Sequence, residues 1–189
     1  MREYVTALEW LENAGIVLRC RNLLSVDPPP DNNIDRGAFK MYLCDTGILI
    51  SLCGYRDVQE VVTGDPFTNN GILMKNATAD ALASKGYPLY HHAKKDSTLE
   101  VDFVLKYHGK VCIDEIKSGK HKRSRSVNTL LSEKNRNRLS VKVCNNNVMT
   151  DANGIIHLPL YGPAFIEESG VPMIPKVDVE EMNRRFGKD

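Results

Sequence analysis

The chain has 189 residues, 42% of them hydrophobic, and a formal net charge of +1. This length and composition suffice for one substantial core or two small ones, and they exclude a disordered or fibrous protein. No apolar run approaches the ~20 residues of a membrane helix, and the N-terminus lacks the apolar region of a signal peptide, so we expect a cytoplasmic protein without membrane contact. Five scattered cysteines without a CxxC pair indicate reduced, buried side chains rather than zinc ligands.

Residues 1–57 predict a unit that resembles the second half of a winged helix. Its predicted elements are a helix over 3–14, a strand over 16–20, a long proline-rich loop, a strand over 39–43, and a helix capped by Asp45 and ending at Gly54. Helices that bind a DNA groove usually present Arg, Lys and amide side chains, whereas the first helix carries Glu3, Glu9 and Glu12. The pattern therefore favours a packing or linker module over a DNA-reading one.

Residues 58–189 predict a second unit, which begins in the polar, turn-rich stretch 55–70. The order of helices and strands in this unit indicates an α/β fold with a mixed sheet flanked by helices. The predicted elements are a helix over 72–85, a strand over 88–91, a hairpin within 99–120, a helix over 124–131, strands over 139–144 and 155–160, and a helical or irregular tail after 162.

The hairpin, LEVDFVLKYHGKVCIDEIKSGK, concentrates the charged residues of chemical interest. A loop of two or four residues at His108-Gly109 would place Asp102 opposite Glu115 and Glu100 opposite Lys117 on one face, whereas a three-residue loop would separate them. The first register also gives the other face a mostly apolar character, with Asp114 as its one polar member. That face would carry Val101, Phe103, Leu105, Cys112, Asp114 and Ile116.

Two carboxylates on paired strands can provide oxygen ligands for a Mg²⁺ or Mn²⁺ ion, because cross-strand Cβ atoms lie only ~4.5–5.5 Å apart. Asp102 and Glu115 are the candidate ligands, and Lys117 could orient or deprotonate an attacking water or neutralise a phosphate. The alternative is a solvated sheet face, since alternation places charges outward on any half-buried sheet. The spacing of these residues is compatible with both interpretations.

The pattern of Asp102, Glu115 and Lys117 between helix and strand elements resembles the PD-(D/E)xK, or restriction-endonuclease-like, nuclease fold. More narrowly, the chain resembles the uncharacterised C-terminal domain of prokaryotic AAA-type ATPases from Tyr4 to Glu168. The stretches that carry this resemblance are YVTALEWLENAGIV, KMYLCDTGILISLCG, GILMKNATADALASKGYPLYHH, LEVDFVL, IDEIKSGK and IIHLPLYGPAFIEE. The resemblance implies Asp102 and Glu115 as metal ligands, Lys117 as catalytic lysine, and an ATPase module upstream in cis. The chain itself has no P-loop pattern and hence no ATP site.

One position departs from the family pattern. The family's first helix usually reads G-x-L-x-E-N, and its glutamate adds an acid to the site, whereas this chain has Lys75 there. An ammonium group cannot ligate a cation. If Lys75 points inward, it would pair with Asp102 or Glu115 and take part of the metal's electrostatic role, leaving a weak or inactive site. If it points to solvent, it would have no such effect.

A basic run follows the hairpin. Between residues 106 and 142 the chain has eleven Lys or Arg residues against three acids, which favours a phosphate-rich partner. The densest part contains Lys120, Lys122, Arg123 and Arg125. Three functions remain open from the sequence: a metal-dependent nuclease-like domain, an inactive module that binds nucleic acid or protein, and an oligomerisation domain for the ATPase.

Overall fold

A mixed β-sheet forms the centre of the computed structural model, which describes residues 2–53, 58–59, 63, 70–94, 99–117, 129–130 and 138–167. Among these residues the sheet has eight strands in the order β2-β1-β3-β4-β5-β6-β8-β7. The strands are β1 (Val17–Leu23), β2 (Ile34–Leu43), β3 (Tyr90–Ala93), β4 (Glu100–Tyr107), β5 (Lys110–Ile116), β6 (Arg138–Val143), β7 (Met149–Thr150) and β8 (Ile156–Leu158). The pairs β1–β3, β5–β6 and β6–β8 are parallel, and the other neighbours are antiparallel.

The α-helices whose bounds lie within the described residues are α1 (Arg2–Asn13), α2 (Thr46–Leu52) and α3 (Asn70–Ser84). The predicted cap of α2 is confirmed, because the Ile48 N–H donates to Asp45 Oδ1 over 3.0 Å. Short 3-10 helices span Pro30–Asn33 and Gly162–Phe165. None of the described helices is long and apolar enough to cross a membrane.

The two faces of the sheet carry separate apolar clusters. The helix-side face packs against Ala79 and Leu82 of α3, and its buried residues are Cys20, Leu89, Phe103, Leu105, Cys112, Ile116, Val141 and Val143. The opposite face has a second cluster, whose residues are Leu23, Val26, Tyr90, Val101, Val104, Val111, Ile113, Leu130 and Ile155. Strands buried on both sides explain the nearly continuous apolar runs of β4 and β5.

A β-bulge interrupts the pairing of β3 with β4. Tyr90 pairs with Val104 and His92 with Val101, so β4 has one residue more than β3 between these two pairs. A bulge of this kind places two consecutive side chains of one strand opposite a single residue of its neighbour. His91 is therefore opposed by both Asp102 and Phe103. The extra residue reverses the alternation of side chains in β4, so residues before the bulge face the opposite side of the sheet from the one that strict alternation would give them.

The structure supports the predicted α/β class and corrects several details. Helix α3 and the hairpin are observed close to their predicted bounds, whereas the predicted strand 88–91 is found at Tyr90–Ala93 and the two-residue β7 was not expected. The division at residue 57 stays a prediction; β1 and β2, from the first part, pair within the same sheet as the strands of the second. The winged-helix-like and restriction-endonuclease-like descriptions remain interpretations. Of the predicted helix 124–131, only 129–130 lie within the described residues.

Candidate functional site

The β4–β5 hairpin has the predicted two-residue turn. Tyr107 pairs with Lys110, and the register continues without a break to Phe103 and Asp114. His108 and Gly109 have φ values of 48° and 72°, the left-handed conformation at both central positions that a type I′ turn requires. The sequence therefore predicted the register of this pair of strands correctly.

Asp102 is turned toward α3 by the bulge. Its neighbours Val101 and Val104 both belong to the opposite cluster, while Phe103 belongs to the helix-side cluster, so the predicted placement of Val101 beside Phe103 is wrong. Asp102 Oδ2 accepts a hydrogen bond from the Ile116 N–H at 3.0 Å. Asp102 Oδ1 lies 2.6 Å from Lys75 Nζ, and only 8% of the Asp102 side chain is exposed. Both oxygens of this buried carboxylate therefore have a partner.

Lys75 thus points inward, toward the sheet. It lies one turn before Ala79 on α3, the residue that packs in the helix-side cluster, and spacing of four residues places both side chains on one face of the helix. The expectation that an inward Lys75 would pair with Asp102 is confirmed by the 2.6 Å contact.

Glu115 forms a different ion pair, with Lys117. Glu115 Oε1 lies 2.7 Å from Lys117 Nζ, and the Lys117 N–H donates to Val143 O at the end of β6. Alternation along β5 directs Glu115 to the side of Ile113, whereas Asp102 faces α3. The expectation that all the charges of the hairpin share one face is therefore wrong. Glu100, which was expected opposite Lys117, pairs instead with Lys40 at 2.5 Å.

Asp114 is the most unusual acid of the sheet. It is completely buried, and neither of its carboxyl oxygens has a hydrogen-bond partner within the described part of the chain. The register places it between Phe103 of β4 and Val141 of β6. Burial, reinforced by the negative charges of Asp102 and Glu115, raises the pKa of Asp114 well above its usual value, so its neutral form is favoured. An acid on a mostly apolar face was visible in the sequence, but nothing there indicated complete burial.

His91 is the second residue whose importance the sequence did not reveal. It is buried, it lies opposite the bulge, and neither ring nitrogen has a hydrogen-bond partner among the described residues. Burial, followed by the positive charge of Lys40, lowers the pKa of His91 to about 4, so the ring is neutral at pH 7. The adjacent His92 instead donates from Nδ1 to Leu23 O over 2.7 Å, as expected for an ordinary sheet residue.

A Cys-His-Asp arrangement joins β6 to β8, although the sequence suggested no cysteine partner for His157. Cys144 Sγ lies 3.6 Å from His157 Nδ1, and His157 Nε2 lies 3.3 Å from Asp151 Oδ2. Cys144 has no exposed surface, and burial raises the pKa of its thiol. A buried neutral thiol is a poor nucleophile, so these three residues do not form a catalytic arrangement. Their contacts instead attach the 151–154 turn to the sheet.

Both predicted ligands, Asp102 and Glu115, are paired with lysines in this arrangement. The Asp102 carboxylate is occupied by an ammonium and a backbone N–H, and Glu115 Oε1 by Lys117. Within the residues that the structure describes, no three His, Cys, Asp or Glu side chains are grouped so that they could hold a metal ion. The predicted nucleic-acid-binding residues Lys120, Lys122, Arg123 and Arg125 lie outside the described residues.

Residues 70–161, a little under half of the chain, match the family described as Domain of unknown function (DUF4143), which is commonly found with AAA ATPases. The match extends from the start of α3 past β8 and includes Lys75, Asp102, Glu115 and Lys117. Neither the curated proteins nor the solved structures contain a match to this chain. The family match supports the resemblance at the level of an uncharacterised domain, while the nuclease-like fold and the C-terminal position in an ATPase stay predictions.

Proposed function

We propose that this chain is a nuclease-like module that has lost metal-dependent hydrolysis and acts as a binding or regulatory domain of an AAA-type ATPase. The observation that carries the proposal is the ion pair between Lys75 Nζ and Asp102 Oδ1, at 2.6 Å. The lysine holds the position at which the family pattern has an acid, and its ammonium group occupies the carboxylate that a metal would need.

Electrostatics supports the loss of the metal. A cation bound at Asp102 would lie within a few ångströms of the Lys75 ammonium, and two unit positive charges 4 Å apart repel each other by about 4 kcal/mol at an effective dielectric constant of 20. The repulsion is about twice as large for a divalent ion. Lys75 would therefore have to leave Asp102 before an ion could bind, and the ion pair would be lost.

The second part of the proposal concerns the partner. The basic residues Lys120, Lys122, Arg123 and Arg125 begin three positions after Lys117, which is attached to the end of β6 by its backbone hydrogen bond. A basic run that leaves a fixed strand end can bind the phosphate backbone of a nucleic acid without hydrolysing it.

Calorimetric titration with Mn²⁺, together with incubation of the protein with linear, circular and single-stranded DNA, tests the first part. We expect neither tight Mn²⁺ binding nor cleavage by the natural chain, and we expect Lys75→Glu to gain Mn²⁺ binding because it replaces the ammonium with a carboxylate. Lys75→Gln is the matched control, since it removes the positive charge without adding an acid. Cleavage by the natural chain that both Asp102→Ala and Glu115→Ala abolish would overturn the proposal.

Filter binding to DNA and RNA across a salt series tests the second part. Neutralising Lys120, Lys122, Arg123 and Arg125 with glutamine should weaken binding and reduce its dependence on salt, because fewer counterions are released. Lys106→Gln/Lys110→Gln is the control, because these two lysines are exposed on the hairpin and lie outside the basic run. Equal losses in the two variants would argue against a specific role for the run.

A further inference from the structure

An apolar cavity of about 430 Å³ lies on the helix-side face of the sheet, and neither residue of the Lys75–Asp102 pair lines it. Its floor is formed by the strands β4, β5, β6 and β8, through the side chains of Leu105, Cys112, Leu139, Val141, Ile156 and Leu158. The 3-10 helix Gly162–Phe165 forms a side wall. Because four strands of one sheet supply the floor, the cavity is a part of the folded sheet.

The side wall is packed closely against the floor. A Cβ atom on Gly162 would lie 2.9 Å from Leu158 Cβ, so only glycine allows this approach of the 3-10 helix to β8 without a shift. The Gly162 N–H donates to Pro159 O over 2.7 Å. Just after the wall, Glu167 forms an ion pair with Lys85 of α3, at 3.4 Å. The wall is therefore preformed, as is usual for small-molecule sites.

The cavity combines an apolar lining with a positive charge near one end. Of the described residues that line it, only Tyr107 and Tyr161 carry a side-chain oxygen or nitrogen. Lys110 pairs with Tyr107 across the hairpin, so both side chains lie on the helix-side face. Lys110 is exposed. A ligand with a hydrocarbon body and an anionic head would match this distribution.

We propose that the cavity binds the hydrocarbon chain of a fatty acid, with the carboxylate beside Lys110. Small-molecule sites have volumes of about 300–1,000 Å³, and 430 Å³ lies in this range. If each methylene group takes about the 30 Å³ of a water molecule in the liquid, this volume holds about 14 carbon atoms.

The lining favours a hydrocarbon chain over a peptide. A peptide would bring backbone N–H and C=O groups that need hydrogen-bond partners inside the cavity, and the two tyrosine hydroxyls are too few to satisfy them. A hydrocarbon chain has no such groups. Among the lining residues, Val148 is 67% and Phe165 is 74% exposed, so the cavity is open to solvent on their side and a chain can enter.

Displacement of the fluorescent fatty acid cis-parinaric acid from the full chain tests the proposal. Saturated acids should displace it about fourfold more tightly for each added methylene group, and this gain should end at about 14 carbons, when the cavity is full. Affinity that does not depend on chain length, or absence of binding by every acid, would overturn the proposal. Binding that weakens as the protein concentration rises would assign the cavity to a second copy and would also overturn it.

A variant that fills the cavity locates the binding. Ile156→Trp enlarges a half-buried side chain of the floor and should weaken binding about tenfold or more. Leu18→Trp is the matched control, because Leu18 is also half-buried against the helix-side cluster but does not line the cavity. Circular dichroism checks that both variants fold. Equal affinities of the two folded variants would overturn the proposal, and if Ile156→Trp does not fold, the chain-length series decides.

Lys110→Glu tests the position of the carboxylate. It replaces an attractive charge with a repulsive one at an exposed position, so it should weaken binding of the acid about fivefold at low salt. Binding of the fatty alcohol of the same length should not change. Lys106→Glu is the matched control, since Lys106 is also exposed but pairs with Val111 of the opposite cluster. Equal losses in the two variants, or the same loss for the alcohol, would show that the carboxylate does not lie beside Lys110.

Discussion

Replacement of Lys75 by methionine should destabilise the protein, because it leaves the Asp102 carboxylate buried without its counter-ion. Removing one partner of a fully buried ion pair destabilises by about 3–5 kcal/mol. Asp102 is 8% exposed but Lys75 is 33% exposed, so water screens part of the interaction, and Asp102 keeps its hydrogen bond to Ile116. We therefore expect a loss of about 2 kcal/mol in the free energy of unfolding.

Urea denaturation followed by far-ultraviolet circular dichroism measures this loss, and a double-mutant cycle isolates the pair. Asp102→Asn keeps an acceptor for the Ile116 N–H while removing the charge, and the coupling energy between Lys75→Met and Asp102→Asn should be about 1–2 kcal/mol. Lys85→Met is the control, because its partner Glu167 is 75% exposed and such pairs contribute about 0.2–1 kcal/mol. A coupling energy near zero would refute the reasoning and would mean that Lys75 faces solvent.

Three further substitutions test buried polar groups of the sheet and of α3 by the same denaturation assay. The pKa of His91 is lowered to about 4 in the folded protein, so as the pH falls from 6.5 to 4 the unfolded chain binds a proton at this residue before the folded protein does. The free energy of unfolding should therefore fall by up to about 3 kcal/mol over that pH range. The variant His91→Gln should lack this pH dependence. The pKa of Asp114 is raised in the folded protein, so the unfolded chain loses this proton first and the free energy of unfolding should fall as the pH rises above 3.8. Asp114→Val should therefore stabilise the protein at neutral pH by about 1–3 kcal/mol. Lower stability of that variant at every pH would contradict this. Asn76→Ala should lower stability by about 2–4 kcal/mol, because Asn76 Oδ1 accepts from the Leu43 N–H at 2.8 Å and its Nδ2 donates to Leu43 O at 3.1 Å.

Local signals were sufficient to predict most of the regular elements. The Gly15 and Gly86 stops after α1 and α3 have φ values of 72° and 81°, which glycine adopts without strain. The hairpin register followed from His108-Gly109, because a two-residue turn allows only one alignment of the strands it joins. These features depend on a few neighbouring residues, so a single sequence contains the information.

The side on which each charge lies could not be predicted in the same way. The bulge in β4 arises from the pairing with β3, and β3 lies before the hairpin with a different partner on its other side. Strict alternation of side chains along β4, aligned by the pairing with β5, therefore places Asp102 on the wrong face of the sheet. Asp114 illustrates the same limit, since its complete burial depends on cover from α3 and β6, which no local pattern specifies.

Lys75 and Asn76 are consecutive residues of α3 that hold two different parts of the protein. Lys75 binds Asp102 in the middle of the sheet, while Asn76 binds Leu43 at the end of β2 and Thr46 at the start of α2. Because a helix moves as a nearly rigid rod, any group that displaced Lys75 from Asp102 would also pull on the segment around residues 43–46. Helix α3 therefore couples the Lys75–Asp102 ion pair mechanically to the junction between β2 and α2.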